Sequence, residues 1–355
     1  MADSTDEILF EKTGHWGVIT LNRPAALNAL NKGMVEAFHH KLIHWEGLPS
    51  VKAVLVRGAG DRAFCAGGDV RWVHDAARRD IDEAAMFFRK EYLNNSAIHH
   101  FPKPYVAMID GIVMGGGVGV SVHGDFRVAG DRTLFAMPET GIGLFPDVGG
   151  GYFMPRLRDS LGLYFALTGA RAGPADCVAS GIATHYVPTD RRPDLERALF
   201  DLPLGGHPHS EIEETLDAFA GDPGDAGLND IRSAIAETFS GHQRLEDLVA
   251  GLKARGGEFA QSMLDTLARM SPTSCKLTFE QMRRGRDLNF DDDMRMEFRM
   301  VRRVLQGHDF FEGVRAQLID KDKSPEWSPA ALGDVSDETI AKYFEPLGDD
   351  ELSLG

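Results

Sequence analysis

Two carboxylates, Glu139 and Asp147, stand in the segment Met137–Gly151 (MPETGIGLFPDVGGG), where most other positions are apolar or glycine. A carboxyl flanked by Met, Pro, Leu, Phe and Val is partly desolvated. Desolvation disfavours the charged form and lifts the pKa toward the range where a carboxyl works as acid, base or nucleophile. Asp147 lies in Pro-Asp-Val-Gly-Gly-Gly, so bare backbone there can approach a ligand closely. The plain structural alternatives are that Asp147 caps the next helix and that Glu139 sits in a first helical turn.

Two glycine turns supply complementary chemistry. Gly67-Gly68 and Gly115-Gly116-Gly117 each precede an expected helix. One free backbone N–H from each, aimed at a single oxygen, makes an oxyanion hole for an acyl carbonyl. The alternative is close packing at a helix start. Neither turn is a dinucleotide fingerprint, because GxGxxG with a downstream ribose-binding acid is missing from any strand-to-helix context. Nearby, Cys65 reads as a small packed residue, His123 as a structural histidine and Asp69 as the cap of helix Val70–Ala77.

The elements that must position these groups follow a repeated grammar of strand, glycine turn and helix. Ile8–Phe10 and Trp16–Leu21 predict a hairpin around Thr13-Gly14, followed by a helix over Ala25–Leu48. Val51–Val56 and Tyr105–Ile109 are buried-strand patterns that lead to the two glycine turns, the second followed by a helix through His123. Phe126–Ala129 and Leu134–Ala136 are short strands before the Glu139 segment, and a helix near Gly149–Leu157 follows it. From Leu161 the pattern is helical: Leu161–Thr168, Pro174–Ser180, Glu211–Ala220, Ile231–Phe239, Leu245–Lys253, Glu258–Met270, Pro272–Arg284 and Phe290–Leu305. Asp291-Asp292-Asp293 reads as favourable charge at the start of the last helix. Fold class is α/β. The division expected is a core over 1–190, a variable helical and loop insertion over 191–257, and a helical region with a tail over 258–355.

The formal net charge of −16 leaves no basic surplus to neutralise phosphates, which argues against nucleic acid as a partner. Three widely separated cysteines, Cys65, Cys177 and Cys275, suggest no disulfide framework and fit a reducing compartment. No CxxC or HExxH spacing occurs, so no metal site is expected. No segment approaches the ~20 apolar residues of a membrane span. The acidic start MADSTDEILFEK is neither a secretory signal nor an Arg-rich leader, and the location expected from it is cytoplasmic.

Together these residues resemble the crotonase (enoyl-CoA hydratase/isomerase) superfamily. The resemblance is carried by Asn22-Arg23-Pro24 with Leu27-Asn28-Ala29-Leu30, by Ala63-Phe64-Cys65-Ala66-Gly67-Gly68-Asp69, and by Asp110-Gly111 through Gly117. It implies a spiral of ββα units with a helical C-terminal region. It also implies a CoA thioester whose carbonyl lies between the N–H groups of Gly68 and Gly116. Hydratases of the family carry two catalytic glutamates. The first would fall on Gly119 and is missing; the second falls on Glu139. Asp147 is a new acid where hydratases usually have glycine. That pattern is similar to a hydrolase branch of the family that acts on 3-hydroxyacyl-CoA in valine breakdown. Phe87-Phe88-Arg89-Lys90-Glu91-Tyr92, Ser121-Val122-His123-Gly124 and Gly307-His308-Asp309-Phe310-Phe311 extend the match.

The resemblance implies an acyl-CoA thioesterase. Glu139 either attacks the carbonyl or acts as base on water, Asp147 orients the substrate or the water and moves the proton, and Glu91 binds the acyl 3-hydroxyl. Without the family, Glu91 reads as an exposed helix residue. Arg23 and Arg71 are candidates for the CoA phosphates; Ala25, Leu27, Ala66 and Gly67 suit the pantetheine and adenine surface. CoA enters as substrate and leaves as product, so no cofactor is expected. Homo-oligomerisation is left open. The rival readings are an enoyl-CoA hydratase or isomerase and a non-catalytic CoA-binding or assembly protein.

Overall fold

The computed structural model of the protein describes residues 6–354. The chain forms two compact units. One comprises the chain up to Gly68, Leu93–Phe135 and Ala172–Gly227; the other comprises Asp69–Tyr92, Ala136–Arg171 and the chain from Leu228.

The first unit is built on a mixed sheet. Strands β1 (Ile8–Thr13) and β2 (Trp16–Leu21) pair antiparallel across a turn where Gly14 takes φ 57°. Strands β3 (Ala53–Gly58), β4 (Ala63–Cys65), β5 (Tyr105–Met108), β6 (Ile112–Met114), β7 (Phe126–Ala129), β8 (Leu134–Ala136) and β9 (His185–Tyr186) follow. Six strands share one sheet in the order β1-β2-β3-β5-β7-β9, parallel from β2 onward; β4, β6 and β8 form a smaller sheet. Alternate residues of the large sheet, such as Trp16, Val18, Leu55, Val106 and Val128, form one buried cluster with Leu195, Leu199, Ile212 and Leu216. Those last four lie on helices Arg192–Phe200 and Pro208–Phe219. The opposite face, with Ile19, Val54, Val56 and Ala107, is also buried. Burial on both faces explains why β3 and β5 read as continuous apolar runs.

The helix expected from Ala25 begins only at Lys32 and runs to Glu46. Leu27 and Asn28 adopt φ 53° and 56°, outside the helical region. The Asn28 side chain, fully buried, donates to the carbonyls of Ala59 (2.9 Å) and Ala63 (2.8 Å) and accepts from the Arg23 N–H. It ties the Arg23–Leu30 loop to the β3–β4 turn, and Asn31 then caps the helix by accepting from the Met34 N–H at 2.9 Å. Asp110, from the second family motif, is likewise structural: it binds the Arg132 guanidinium and accepts from the Thr189 hydroxyl. The helix expected through His123 covers only Gly116–Gly119.

The second unit is mostly helical. Its helices Leu161–Thr168, Leu228–Phe239, Leu245–Arg255, Gly257–Leu267, Pro272–Gly285 and Phe290–Val304 follow the expected pattern within a few residues. The helix expected near Gly149–Leu157 is a short one, Gly150–Phe153, followed by a 3₁₀ turn. Ser271 and Asn289 cap the last two long helices through Ser274 N–H and Asp292 N–H. Helix Ile81–His99 was not expected as a separate element. Among the described residues no helix is long and apolar enough to cross a membrane.

Candidate active site

In the first unit, β4 and β6 run parallel, with Ala63 beside Ile112 and Cys65 beside Val113. Parallel neighbours deliver their following turns to the same sheet end. Gly67 and Gly115 both need positive φ, 116° and 47°. A Cβ on Gly67 would lie 3.4 Å from the Met114 carbonyl and 3.7 Å from the Gly116 nitrogen, so the turns are in contact. Gly116 is the first residue of its helix, where an N–H has no intrahelical acceptor. Among the described residues, the N–H groups of Gly68 and Gly116 donate to no backbone carbonyl. The pair therefore has the elements of an oxyanion hole.

Beside these turns, Ala66 N–H donates to Leu27 O (3.0 Å) and Leu30 N–H to Gly67 O (2.8 Å), so Leu27, Ala66 and Gly67 belong to one short ladder. Ala25 is exposed in the preceding loop. Arg23 is engaged by Glu7 (3.0 Å) and the Ala29 carbonyl (2.7 Å). A Cβ at Gly117 would fall 2.2 Å from the Cys65 carbonyl. Gly117→Ala must push the helix off β4. It is expected to cost about 1–3 kcal/mol, read as a fall in Tm, with loss of activity from the displaced Gly116 N–H.

In the second unit, three carboxyls are sequestered from water: Glu91, Glu139 and Asp147 are 2%, 5% and 4% exposed. Glu139 opens a 3₁₀ turn, Glu139–Ile142, held by Ser271 N–H on Thr140 O at 3.1 Å. Asp147 does not cap the next helix through its side chain, whose cap position is Gly149. Its Oδ2 accepts from the Tyr92 hydroxyl at 2.9 Å. Tyr92 is fixed edge-on between Phe88 and Phe298. Glu91 is not the exposed helix residue that its local sequence suggests, because helix Ile81–His99 turns it inward. Arg71, a candidate for CoA phosphate, bonds the Leu318 carbonyl. Asp69 caps its helix as expected, accepting from Trp72 N–H.

Burial raises all three carboxyls. Glu139 rises well above the usual carboxylate range through desolvation first and the Asp147 charge second. Glu91 rises for the same two reasons. Asp147 is pushed up to about 7 by burial, against the opposing pull of the Tyr92 hydrogen bond. Among the described residues, neither Glu139 Oε2 nor Glu91 Oε1 has a hydrogen-bond partner. A buried polar atom without a partner costs about 1–3 kcal/mol, a cost that a bound substrate would relieve.

The loop after Asp147 is unusual. Val148 takes φ 55° and Gly149 φ 87°. For a β-branched residue the left-handed region is strained, typically by about 1–3 kcal/mol. The loop is held from Glu297, on helix Phe290–Val304, and from Gln281, on helix Pro272–Gly285. Glu297 accepts from the N–H groups of Gly149 and Gly151, each at 2.9 Å, and Gln281 donates to Pro146 O at 2.8 Å. The sequence alone assigns Tyr92, Gln281, Asp293 and Glu297 no role at the site. Asp293, which the sequence reads as favourable charge at a helix start, is completely buried. The missed signal is periodic: Phe290, Met294, Glu297, Val301 and Val304 form a buried helical stripe with an acid in its middle.

The profile of the enoyl-CoA hydratase/isomerase family matches residues 16–344. The chain belongs to this family. Among curated family relatives, 3-hydroxyisobutyryl-CoA hydrolase, mitochondrial, of Danio rerio is 47% identical over 98% of this chain and 92% of that protein. The human protein of the same name is 44% identical over 99% and 92%. A solved structure described as a carnitinyl-CoA dehydratase from Mycobacterium thermoresistibile superposes with a TM-score of 0.90 at 41% identity, covering 98% of this chain and 99% of that one. One described as an enoyl-CoA hydratase from Rhodobacter sphaeroides gives 0.88 at 37%, covering 98% and 100%. The crotonase-like α/β fold with a helical C-terminal region is thus the fold of this family member. The CoA hydrolase expected from the sequence is what the curated relatives are named. The cytoplasmic location is overturned, since those relatives are named as mitochondrial enzymes. The composition of the first dozen residues does not by itself fix where a folded chain works.

Proposed function

We propose that the protein hydrolyses 3-hydroxyisobutyryl-CoA to 3-hydroxyisobutyrate and CoA, and so serves valine breakdown. The observation that carries this reading is a buried acid pair, Glu139 and Asp147, with a carboxylate oxygen of Glu139 left unpartnered. Gly119 supports it, because the position of the first hydratase glutamate has no side chain. Adding water across a double bond wants an acid and a base on one water; thioester hydrolysis needs a base or nucleophile and charge stabilisation on oxygen.

In this reading the N–H groups of Gly68 and Gly116 take the charge that develops on the thioester oxygen. Glu139 adds to the acyl carbon, or draws a proton from the water that does. The C–S bond then breaks, and the sulfur leaves protonated as free CoA thiol; where Glu139 itself has added, water hydrolyses the mixed anhydride left behind, which releases 3-hydroxyisobutyrate and restores the Glu139 carboxylate. Asp147, poised near neutrality, passes the proton. Glu91 binds the acyl 3-hydroxyl through its free oxygen. Arg23, Ala25, Leu27, Ala66, Gly67 and Arg71 are proposed for the CoA moiety, with Arg23 and Arg71 exchanging their present partners for phosphate. CoA is both part of the substrate and product, and no separate cofactor is invoked.

The test is free-thiol release from 3-hydroxyisobutyryl-CoA, with crotonyl-CoA absorbance followed in parallel. Thiol release with crotonyl-CoA untouched is the expected result. Loss of crotonyl-CoA absorbance without thiol release would make the protein a hydratase working with one glutamate.

A further inference from the structure

Glu297 has no place in the reaction just described, yet it is fully buried beside it in the second unit. Its Oε2 accepts from Gly149 N–H at 2.9 Å. Its Oε1 accepts from Gly151 N–H at 2.9 Å and from Gln281 Nε2 at 3.0 Å. Gln281 also holds Pro146 O. The residues on both sides of Asp147 are therefore gripped by one carboxylate and its amide partner. Between the grips stands Val148, a β-branched residue at φ 55°. Such a residue relaxes toward ordinary backbone unless its surroundings over-determine the turn.

We propose that Glu297 is the positioning residue for Asp147: by clamping Gly149 and Gly151 it keeps the Val148 turn in its strained conformation and fixes the direction of the Asp147 carboxyl. The inference rests on the reading of Asp147 as part of the thioester site.

A carboxylate suits this task because it offers acceptors on two oxygens to two N–H groups. A glutamine would offer one, and its amide would confront a backbone donor. The packing leaves little slack. A Cβ on Gly151 would lie 2.3 Å from Asp293 Oδ1, and one on Gly285 would lie 1.9 Å from the Gly151 carbonyl. The groups facing Glu297 are Asp293, four residues earlier on its own helix, Asp147 and Tyr92 across the loop, and Arg156 beyond Asp293. Burial, then the Asp293 and Asp147 charges, raise Glu297.

The experiment compares wild type, Glu297→Gln, Val148→Gly and the double variant in the full chain. Glu297→Gln is expected to lower kcat on the order of 10²-fold, as small misplacements of reacting groups do. KM should change by less than about three-fold, because binding groups are untouched. Hydrogen exchange at Gly149 and Gly151 should accelerate. Val148→Gly should restore on the order of ten-fold in the Glu297→Gln background, because glycine takes the turn without strain. Unchanged kcat and exchange would overturn the proposal. So would a loss spread equally over kcat and Tm that Val148→Gly does not relieve. Should Glu297→Gln fail to fold, Gln281→Met removes the Pro146 grip and is held to the same expectations. If the wild type releases no thiol, the hydrolase reading fails, while exchange at Gly149 and Gly151 still decides for or against the clamp.

Discussion

Glu139→Gln is expected to leave a folded protein that binds acyl-CoA and releases thiol roughly 10²–10⁴-fold more slowly, the range by which a general base contributes. The fold survives because the side chain is not what holds its turn. Glu139 is anchored by backbone: Gly141 N–H on Pro138 O, Leu144 N–H on Glu139 O, and Ser271 N–H on Thr140 O. Oε2 has no partner among the described residues, so an amide there breaks no hydrogen bond at that atom. Glutamine keeps the volume and loses only the capacity to attack or take a proton. The check is steady-state thiol release with far-UV circular dichroism and a CoA-binding titration on the same preparation. Because burial raises Glu139, wild-type activity should climb with pH as its carboxyl ionises, and Glu139→Gln should lack that limb. Retention of full activity by Glu139→Gln would remove Glu139 from the chemistry.

How far such a site is legible in a sequence depends on which interactions are local. Glu139 and Asp147 stood out because charge disagrees with apolar neighbours within a few residues, and both are buried. The two glycine turns were legible because each follows a strand with a buried pattern, and both strands pair in parallel. Helix Leu161–Thr168 was expected to the residue, since Gly169 in the left-handed region ends it. The failures are tertiary. Asn28 lies inside a good helical pattern, but its bonds to Ala59 and Ala63, more than 30 residues away, hold the chain in a loop. The Tyr92 hydroxyl finds Asp147 across 55 residues. Glu297 finds Gly149 and Gly151 across nearly 150. The acid in the buried stripe of helix Phe290–Val304 is readable by spacing, but it follows Asp291-Asp292-Asp293, whose charge has a sufficient local reading at the helix start.

Asp147→Asn separates activity from stability. The folded protein holds the Asp147 proton up to about pH 7, whereas an ordinary aspartate carboxyl gives it up at 3.8. Between these values the native state binds more protons than the unfolded chain, so unfolding releases a proton and rising pH favours it. The stabilising protonated form is fully present below pH 3.8 and is lost progressively up to about pH 7. The full gap corresponds to at most about 4 kcal/mol at pH 8. Asparagine cannot ionise, and its carbonyl oxygen can still accept the Tyr92 hydroxyl. Asp147→Asn is therefore expected to melt higher than wild type at pH 8 and to match it near pH 4, while thiol release falls sharply. The same change removes the second-largest cause of the Glu139 elevation, so whatever activity remains should keep its acid limb at a lower pH than wild type. Urea melts at pH 4, 6 and 8, run beside the rate profile, test both parts. A variant no more stable than wild type at pH 8 would mean that Asp147 ionises without cost in the folded state. Its raised pKa could then not supply the proton that the proposed reaction moves.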